Sequence, residues 1–336
     1  MSNSNVIQSS LENRLLIAWT DVFAVPNLKI NQSDFFDLGG DSLKFKRLQR
    51  LIRHLVDFEL SPGQLFETPT IESLAKFISA SNGHRENLEF NHIIEMNKQN
   101  RKSAIYICHG MHGDTFEWRF IADALCTNRY VYGLQDPTHR NIDTKNLHRT
   151  MESLGDYHAE ELRKHSEDDF CLAGYSVGAW VAYSTAISLE RLGARKIKLY
   201  LFEPSRLPCS QSFILSETKL LKMGFKFKGR SASLRCDAKN AISMPDSDMQ
   251  TFQLKDPTID PTYLKTLYYQ PSSSNAQINI AIRSEVVNNL GNYYIASISN
   301  NTPNIISIKG MKAHLEFRLK EHATAIAQSI EYAFSR

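Results

Sequence analysis

The sequence lacks the long apolar run that a membrane-spanning helix requires, since no stretch approaches roughly 20 consecutive apolar residues. The first ten residues have neither the basic start nor the apolar centre of a secretory signal. Cysteines are few, five in 336 residues, and their scattered positions argue against a disulfide framework or a zinc site. The chain also lacks a large excess of either charge, since it has 39 basic and 36 acidic residues. Its net charge therefore gives no reason to expect nucleic acid or a membrane as a partner. We therefore expect a cytoplasmic protein without a bound metal.

Two patterns of apolar residues divide the chain. Residues 1–80 have apolar residues at helical spacing and no strand pattern, which predicts a small all-α bundle. Residues 81–88 are small and polar, as in an inter-domain linker. Over 89–336, short apolar strands alternate with helices, which predicts an α/β domain with a mostly parallel sheet. The alternation is interrupted over about 207–274, and we interpret this span as a lid over the functional edge of the sheet. The predicted strands are 104–108, 130–134, 170–173, 197–202, 278–282 and 305–308.

Two local signals set element boundaries within the first region. Ser61-Pro62-Gly63 is interpreted as a break in the chain after the second helix. Thr70 is a candidate N-cap, so that the third helix is predicted to begin there.

One segment of the second region has the form of a nucleophile elbow. The apolar run 170–173 leads directly into Gly174-Tyr175-Ser176-Val177-Gly178, and an alanine-rich helix is predicted over 179–192. In this motif the serine occupies a strained strand-to-helix turn, and the two glycines leave room for neighbouring backbone. The N-terminus of the helix can stabilise negative charge on a reacting oxygen. We therefore predict that Ser176 is a catalytic nucleophile.

A serine nucleophile requires an acid and a histidine, which follow it in that order when this motif is present. Glu203 follows one predicted strand and Glu285 another, so either carboxylate can reach the same edge of the sheet; we prefer Glu203 as the acid. His314 follows the last predicted strand and is the candidate base, with His322 as its rival in the C-terminal helix.

The same chemistry requires an oxyanion hole with two backbone N–H donors. One donor normally belongs to the residue after the nucleophile, here Val177, and the other to a loop after an earlier central strand. That loop is Cys108-His109-Gly110-Met111-His112-Gly113-Asp114, and we assign the second donor to the N–H of Met111. His109 and His112 have no third ligand nearby, so we do not expect them to bind a metal.

The segment Asp34-Phe-Phe-Asp-Leu-Gly-Gly-Asp-Ser-Leu43 resembles the phosphopantetheine attachment signature of peptidyl carrier proteins in nonribosomal peptide synthetases. The resemblance implies that a phosphopantetheinyl transferase attaches 4'-phosphopantetheine covalently to Ser42. A serine at a helix N-terminus suits this role, because the free N–H groups there favour a phosphodiester. The second region resembles the type I thioesterase domains that end such synthetases, which implies an α/β-hydrolase fold.

The two resemblances imply a carrier-thioesterase that releases an acyl or peptidyl chain from a phosphopantetheine thioester through an acyl-enzyme on Ser176, by hydrolysis or cyclisation. Upstream synthetase modules are then the expected source of that chain. Two alternatives stay open from the residues: a free-standing serine esterase or lipase that acts on soluble esters, and a non-catalytic scaffold that presents acyl groups. The sequence also leaves open the acyl substrate, the oligomeric state and whether the chain is part of a longer synthetase.

Overall fold

The computed structural model of the chain describes residues 3–81, 92–97, 103–110, 113–125, 129–137, 150–165, 169–204, 213–216, 233–236, 273–283, 299–301 and 303–335. These residues cluster into two compact units, Met1–Met96 and Asn97–Arg336. Residues 82–88 of the predicted linker lie outside the described residues, and the domain boundaries stay a prediction.

The first unit contains four helices and a short strand: α1 (Asn3–Phe23), α2 (Ser42–Val56), α3 (Pro62–Glu67), α4 (Ile71–Ala80) and β1 (Ile93–Glu95). Its core combines aliphatic side chains with a group of aromatic rings around Phe35. Phe35 meets Trp19, Phe23 and Phe36 edge-to-face, with ring centroids 6.4, 5.4 and 5.3 Å apart. Burial of these apolar faces stabilises the helices, which would be marginal alone.

Helix α3 corrects the prediction of a break at Ser61-Pro62-Gly63. Ser61 is the N-cap of α3, its Oγ accepts from the Gln64 N–H at 3.2 Å, and the Gln64 side chain accepts from the Ser61 N–H at 2.8 Å. Pro62 fits the first helical turn, where its missing N–H has no intrahelical partner to lose. The serine and proline therefore begin a helix here. Thr70 caps α4 as predicted, paired with Ser73.

The second unit is built on a parallel sheet. Its strands in the order β3-β2-β4-β5-β8-β9 are hydrogen-bonded neighbours, and every pairing is parallel. The strands are β2 (Ala104–Cys108), β3 (Tyr130–Leu134), β4 (Asp169–Tyr175), β5 (Lys196–Phe202), β8 (Gln277–Arg283) and β9 (Asn304–Ile308). The helices are α5 (Arg119–Ala124), α6 (Met151–His165), α7 (Val177–Arg191) and α8 (Lys320–Ser335), with 3₁₀ helices at Phe116–Trp118 and His314–Arg318.

All six predicted strands are present. Their sequences are mostly apolar, and β2, β4 and β5 are largely buried in the sheet, whereas only Ile308 of β9 is buried. The short strand β1 has no counterpart in the prediction. The predicted lid lies almost entirely outside the described residues. Within it, β6 (Phe213–Ser216) pairs antiparallel with β7 (Ser233–Cys236).

Among the residues described, none of the helices combines the length and the hydropathy needed to span a bilayer. Cys108 and Cys171 are free and buried. The cytoplasmic location stays a prediction from the sequence.

Replacing Ser61 by alanine is expected to destabilise the first unit by about 1 kcal/mol, since the N-cap acceptor of α3 is lost. Ser61→Asp keeps a side-chain acceptor at the cap and is the matched control, with stability close to that of the natural chain. Hydrogen exchange of the α3 amides measures the effect. Equal protection of α3 in both variants would contradict the cap assignment.

Candidate active site

Ser176 lies at the turn between β4 and α7, with φ 54° and ψ −114°. This conformation is strained for a residue with a side chain, and such strain is typical of functional sites. The Ser176 N–H donates to the carbonyl of Phe202 at 3.0 Å, which holds the turn against the end of β5. Its side chain makes no capping hydrogen bond to α7. The geometry is that of a nucleophile elbow.

Two glycines allow the elbow to close. A Cβ atom at Gly174 would collide with the carbonyl of Gly178, and a Cβ atom at Gly178 would lie 2.7 Å from the carbonyl oxygen of His109 and 2.9 Å from that of Cys108. The first turn of α7 therefore packs directly on the end of β2. Val177, the predicted oxyanion donor next to the nucleophile, opens α7 and is buried.

Glu203 follows the last residue of β5 and is only 1% exposed. Its φ is 40°, and its N–H donates to the carbonyl of Ala281 in β8 at 2.9 Å. A buried carboxylate requires polar partners, so Glu203 is not a solvated loop residue. Glu285, the alternative acid, lies outside the described residues.

The candidate base, His314, begins the 3₁₀ helix His314–Arg318 after β9. Its side chain lies outside the described part of the structure. The helix is held by Glu316, whose carboxylate accepts from the Lys312 N–H at 2.6 Å and whose own N–H donates to the Ala313 carbonyl at 3.1 Å. The hydrogen bond that the Glu316 carboxylate accepts from the Lys312 N–H is the main cause of a lowered pKa of Glu316, and the backbone N–H of Ala313 adds to it.

The rival histidine, His322, lies beside two carboxylates. Its Nε2 is 3.5 Å from Glu316 Oε2 and 3.3 Å from Glu321 Oε1. The side chain thus lies between the start of α8 and the 3₁₀ helix.

An aromatic cluster that was not predicted from the sequence lies beneath these residues. Phe317 stacks on Tyr175 with ring centroids 4.1 Å apart, and it also contacts Phe202 and Trp118 at 4.8 and 4.7 Å. Tyr175 and Phe202 are the residues just before Ser176 and Glu203. The cluster could have been suspected from the sequence, because an aromatic residue directly precedes both the predicted nucleophile and the predicted acid.

The loop after β2 is fixed at both ends, although Met111 and His112 lie outside the described residues. The His109 N–H donates to the Leu134 carbonyl at 3.1 Å, and the Asp136 N–H donates to the Gly113 carbonyl at 2.8 Å. His109 Nδ1 lies 2.9 Å from the Gly110 carbonyl. The loop is therefore anchored to the end of β3.

Glu117 packs under this loop, and a Cβ atom at Gly110 would collide with its carboxylate. Its Oε1 is buried and makes no hydrogen bond within the described part of the chain. Burial raises the pKa of Glu117 to about 8; the Asp114 carboxylate adds to the rise and the Arg318 guanidinium opposes it. Glu117 is thus mostly protonated at neutral pH.

In the first unit, Ser42 is the first residue of α2 and is 9% exposed. The cap of α2 is the preceding residue, Asp41, whose Oδ1 accepts from the Lys44 N–H at 2.9 Å. A Cβ atom at Gly40 would collide with Phe35, so the turn before Ser42 requires glycine there. Capping therefore does not account for the serine.

Within the described residues, no group of three histidine, cysteine, aspartate or glutamate side chains could hold a metal ion.

Comparison with protein families decides the identity of both units. A family model described as the phosphopantetheine attachment site matches residues 13–78, and a thioesterase domain model matches residues 103–207. The chain is a carrier domain followed by a thioesterase domain. The resemblance stated from the sequence is confirmed for both domains, and covalent 4'-phosphopantetheine is the cofactor of the carrier family.

Curated relatives of the carrier-thioesterase chain are synthetases. It is 27% identical over 198 residues to the indigoidine synthase of Dickeya dadantii, covering 59% of this chain and 13% of that protein. It is 29% identical over 191 residues to the nonribosomal peptide synthetase pngA of Aspergillus terreus, covering 55% of this chain and 20% of that protein. The chain thus spans a small part of the length of these relatives.

Solved structures confirm the predicted fold class, the lid excepted. The four-domain nonribosomal peptide synthetase AB3403 aligns with a TM-score of 0.55 at 20% identity, over 97% of this chain and 26% of that one. The NocB thioesterase domain aligns with a TM-score of 0.51 at 14% identity, over 73% of this chain and 100% of that domain.

The pKa of Glu117 predicts how stability depends on pH. Below its unfolded value of 4.5 the carboxyl is protonated in both states, whereas between 4.5 and about 8 only the unfolded chain loses the proton. Unfolding therefore becomes more favourable as pH rises through this window, and the penalty is constant above it. Glu117→Gln removes this penalty and is expected to raise the thermal midpoint by on the order of a few degrees at pH 8, with little effect near pH 4.

Glu316→Gln provides the control of opposite sign, because the pKa of Glu316 is lowered. The natural Glu316 carboxylate stabilises the fold above its unfolded pKa, and this stabilisation disappears as pH falls. Glu316→Gln is therefore expected to be less stable than the natural protein at neutral pH and equally stable in acid. Thermal melts across the pH range compare the three proteins. A Glu117→Gln midpoint that tracks the natural protein at every pH would show that Glu117 is not protonated in the fold.

Proposed function

We propose that this chain releases an acyl or peptidyl group from a phosphopantetheine thioester in nonribosomal peptide biosynthesis, through a serine acyl-enzyme on Ser176. The observation that carries the proposal is the strained turn at Ser176, hydrogen-bonded to the end of β5, where the buried Glu203 follows directly. A buried acid next to a strained serine is the arrangement that nucleophilic catalysis requires.

The proposed chemistry assigns one role to each residue. His314 accepts the proton of the Ser176 hydroxyl as its oxygen attacks the acyl carbonyl, and Glu203 orients the imidazole and stabilises its charge. The N–H groups of Val177 and Met111 stabilise the oxyanion of the tetrahedral intermediate. The imidazolium then returns the proton to the leaving thiolate. Water, or a nucleophile within the acyl chain, attacks the acyl-enzyme by the same route and gives a free acid or a macrocycle.

The carrier domain supplies the substrate in this proposal. The terminal thiol of 4'-phosphopantetheine carries the acyl group as a thioester. Ser42 fits as the attachment residue, because Asp41 already caps α2 and a phosphodiester at the first residue of a 15-residue helix is favoured by its free N–H groups. The tether raises the effective concentration of the acyl group at the thioesterase.

The partners follow from this chemistry. A phosphopantetheinyl transferase is needed to modify the carrier, and upstream synthetase modules are needed to load it. The synthetase relatives, which extend far beyond the matched region, support a supply of this kind.

The carrier role is tested by mass spectrometry after incubation with coenzyme A and a phosphopantetheinyl transferase. We expect the chain to gain one phosphopantetheinyl group on Ser42, and Ser42→Ala to gain none. Ser73→Ala changes a serine in the first turn of α4 and is the matched control, which is expected to be modified like the natural chain. An unmodified natural chain, or modification elsewhere, would contradict the carrier role and favour a free-standing esterase.

The catalytic assignment is tested by release of an acyl group loaded onto the carrier. Ser176→Ala is expected to abolish release, and Glu203→Gln to lower kcat by about 10⁴-fold, the loss typical when the acid of a serine triad is neutralised. Glu285→Gln is the control and is expected to keep kcat close to that of the natural chain. A large loss of kcat in Glu285→Gln but not in Glu203→Gln would assign the acid to Glu285. Full release by Ser176→Ala would contradict the catalytic role and favour a non-catalytic scaffold that presents acyl groups.

A further inference from the structure

The side chain of Phe317 connects the histidine segment to the rest of the candidate active site. It lies one 3₁₀ turn after His314 in the same helix and is fully buried, 0% exposed. The two other apolar residues of this stretch point outward, since Leu315 is 61% exposed and Leu319 is 42% exposed. Phe317 is therefore the apolar residue by which this helix is anchored to the core.

The contacts of Phe317 are with the residues that precede the nucleophile and the acid. Its ring is stacked on Tyr175, with the planes 2° apart and the centroids 4.1 Å apart, and it meets Phe202 at 4.8 Å and 49°. Tyr175 and Phe202 are paired partners in the parallel register of β4 and β5. Their side chains thus lie side by side on one face of the sheet, and one ring contacts both.

A third contact reaches the segment after the oxyanion loop. Trp118 ends the 3₁₀ helix Phe116–Trp118, and its ring meets Phe317 edge-to-face at 4.7 Å and 80°. The three contacts are stacked, tilted and edge-to-face, and together they restrict how far the Phe317 ring can slide or tilt.

We propose that Phe317 is the positioning residue that sets His314 relative to Ser176 and Glu203, through its contacts with Tyr175, Phe202 and Trp118. The proposal deepens the function above and rests on it. The histidine segment leaves the sheet after β9, which is separated from β4 by the two strands β5 and β8, so sheet hydrogen bonds alone do not fix its distance from the nucleophile. The aromatic contacts connect this segment directly to the carboxyl ends of β4 and β5.

The expected consequence is a loss of rate with little loss of binding. Proton transfer from the nucleophile depends on the placement of the base, and a misplacement of about 1 Å can cost about 100-fold in rate. Binding of the acyl group does not depend on that distance. Disturbing Phe317 should therefore lower the maximal rate and leave the half-saturating concentration unchanged.

The test uses an alkyl fluorophosphonate as a probe, because it reports on the activated serine whatever the natural acyl group is. The Ser176 oxygen forms a bond to phosphorus, fluoride leaves, and the base takes up the serine proton. Labelling is followed on the full chain by intact mass at several probe concentrations. Phe317→Leu removes the ring and is expected to lower the maximal labelling rate about 10- to 100-fold at an unchanged half-saturating concentration. Phe317→Tyr keeps the ring and is expected to label at close to the natural rate.

Phe334→Leu is the matched control for lost packing. Phe334 is a buried aromatic residue of α8 that contacts Tyr200 in β5 and Arg129, the residue just before β3, and it has no ring contact with Tyr175, Phe202 or Trp118 among the contacts of the described residues. It is expected to lower the thermal midpoint and to keep the maximal labelling rate. All rates are compared at a temperature where circular dichroism shows each variant to be folded. If Phe317→Leu does not fold, Tyr175→Leu removes the other ring of the stack and should show the same loss of rate.

The outcomes separate the inference from the proposed function. Equal maximal rates for Phe317→Leu and Phe334→Leu, with Ser176 labelled in both, would overturn the positioning role and leave the function standing. Absence of labelling at Ser176 in the natural chain would overturn the proposed function and the inference together.

Discussion

The register of β4 against β5 is the constraint on which the candidate active site depends. The pairing runs without a break from Asp169 opposite Lys196 to Tyr175 opposite Phe202, and the next N–H, that of Ser176, donates to the Phe202 carbonyl. A slip of one residue would turn every side chain to the other face of the sheet. Because both faces are buried, the register is strongly specified, and Ser176 and Glu203, the proposed nucleophile and acid, are brought to adjacent strand ends.

This arrangement stores strain that the surrounding packing must offset. Ser176 and Glu203 both have positive φ, a conformation that costs about 1–3 kcal/mol for a residue with a side chain. Helix α7 supplies part of the compensation, since each of its residues from Val177 to Leu189 is buried. At its middle, α7 packs closely against α6, where a Cβ atom at Gly155 would collide with Ser184. A helix buried all round cannot shift to relax the turn at its start.

Helices and strands with long apolar patterns could be predicted from those patterns in the sequence, and the short ones could not. The bounds of β2 and β3 agree with the prediction because each strand is a continuous apolar run, whereas β1 has only three residues and no periodicity to find. The start of α3 was predictable from local residues, since Ser61, Pro62 and Gln64 form a capping box with proline at the first helical position. In contrast, a 3₁₀ helix of five residues is too short for a pattern to show that Phe317 is buried while Leu315 is exposed.

The two serines singled out by the sequence occupy helix starts of different kinds, and the difference matches their proposed roles. Before Ser42, Asp41 is extended, with φ −135° and ψ 179°, and its carboxylate caps α2, so that the serine enters the helix without strain. Ser176 is itself the cap position of α7, strained and without a capping hydrogen bond from its side chain. An unstrained hydroxyl suits a residue that is modified once and then carries a group. A strained one, kept out of the helix cap, suits a residue whose oxygen must form and break bonds in every turnover.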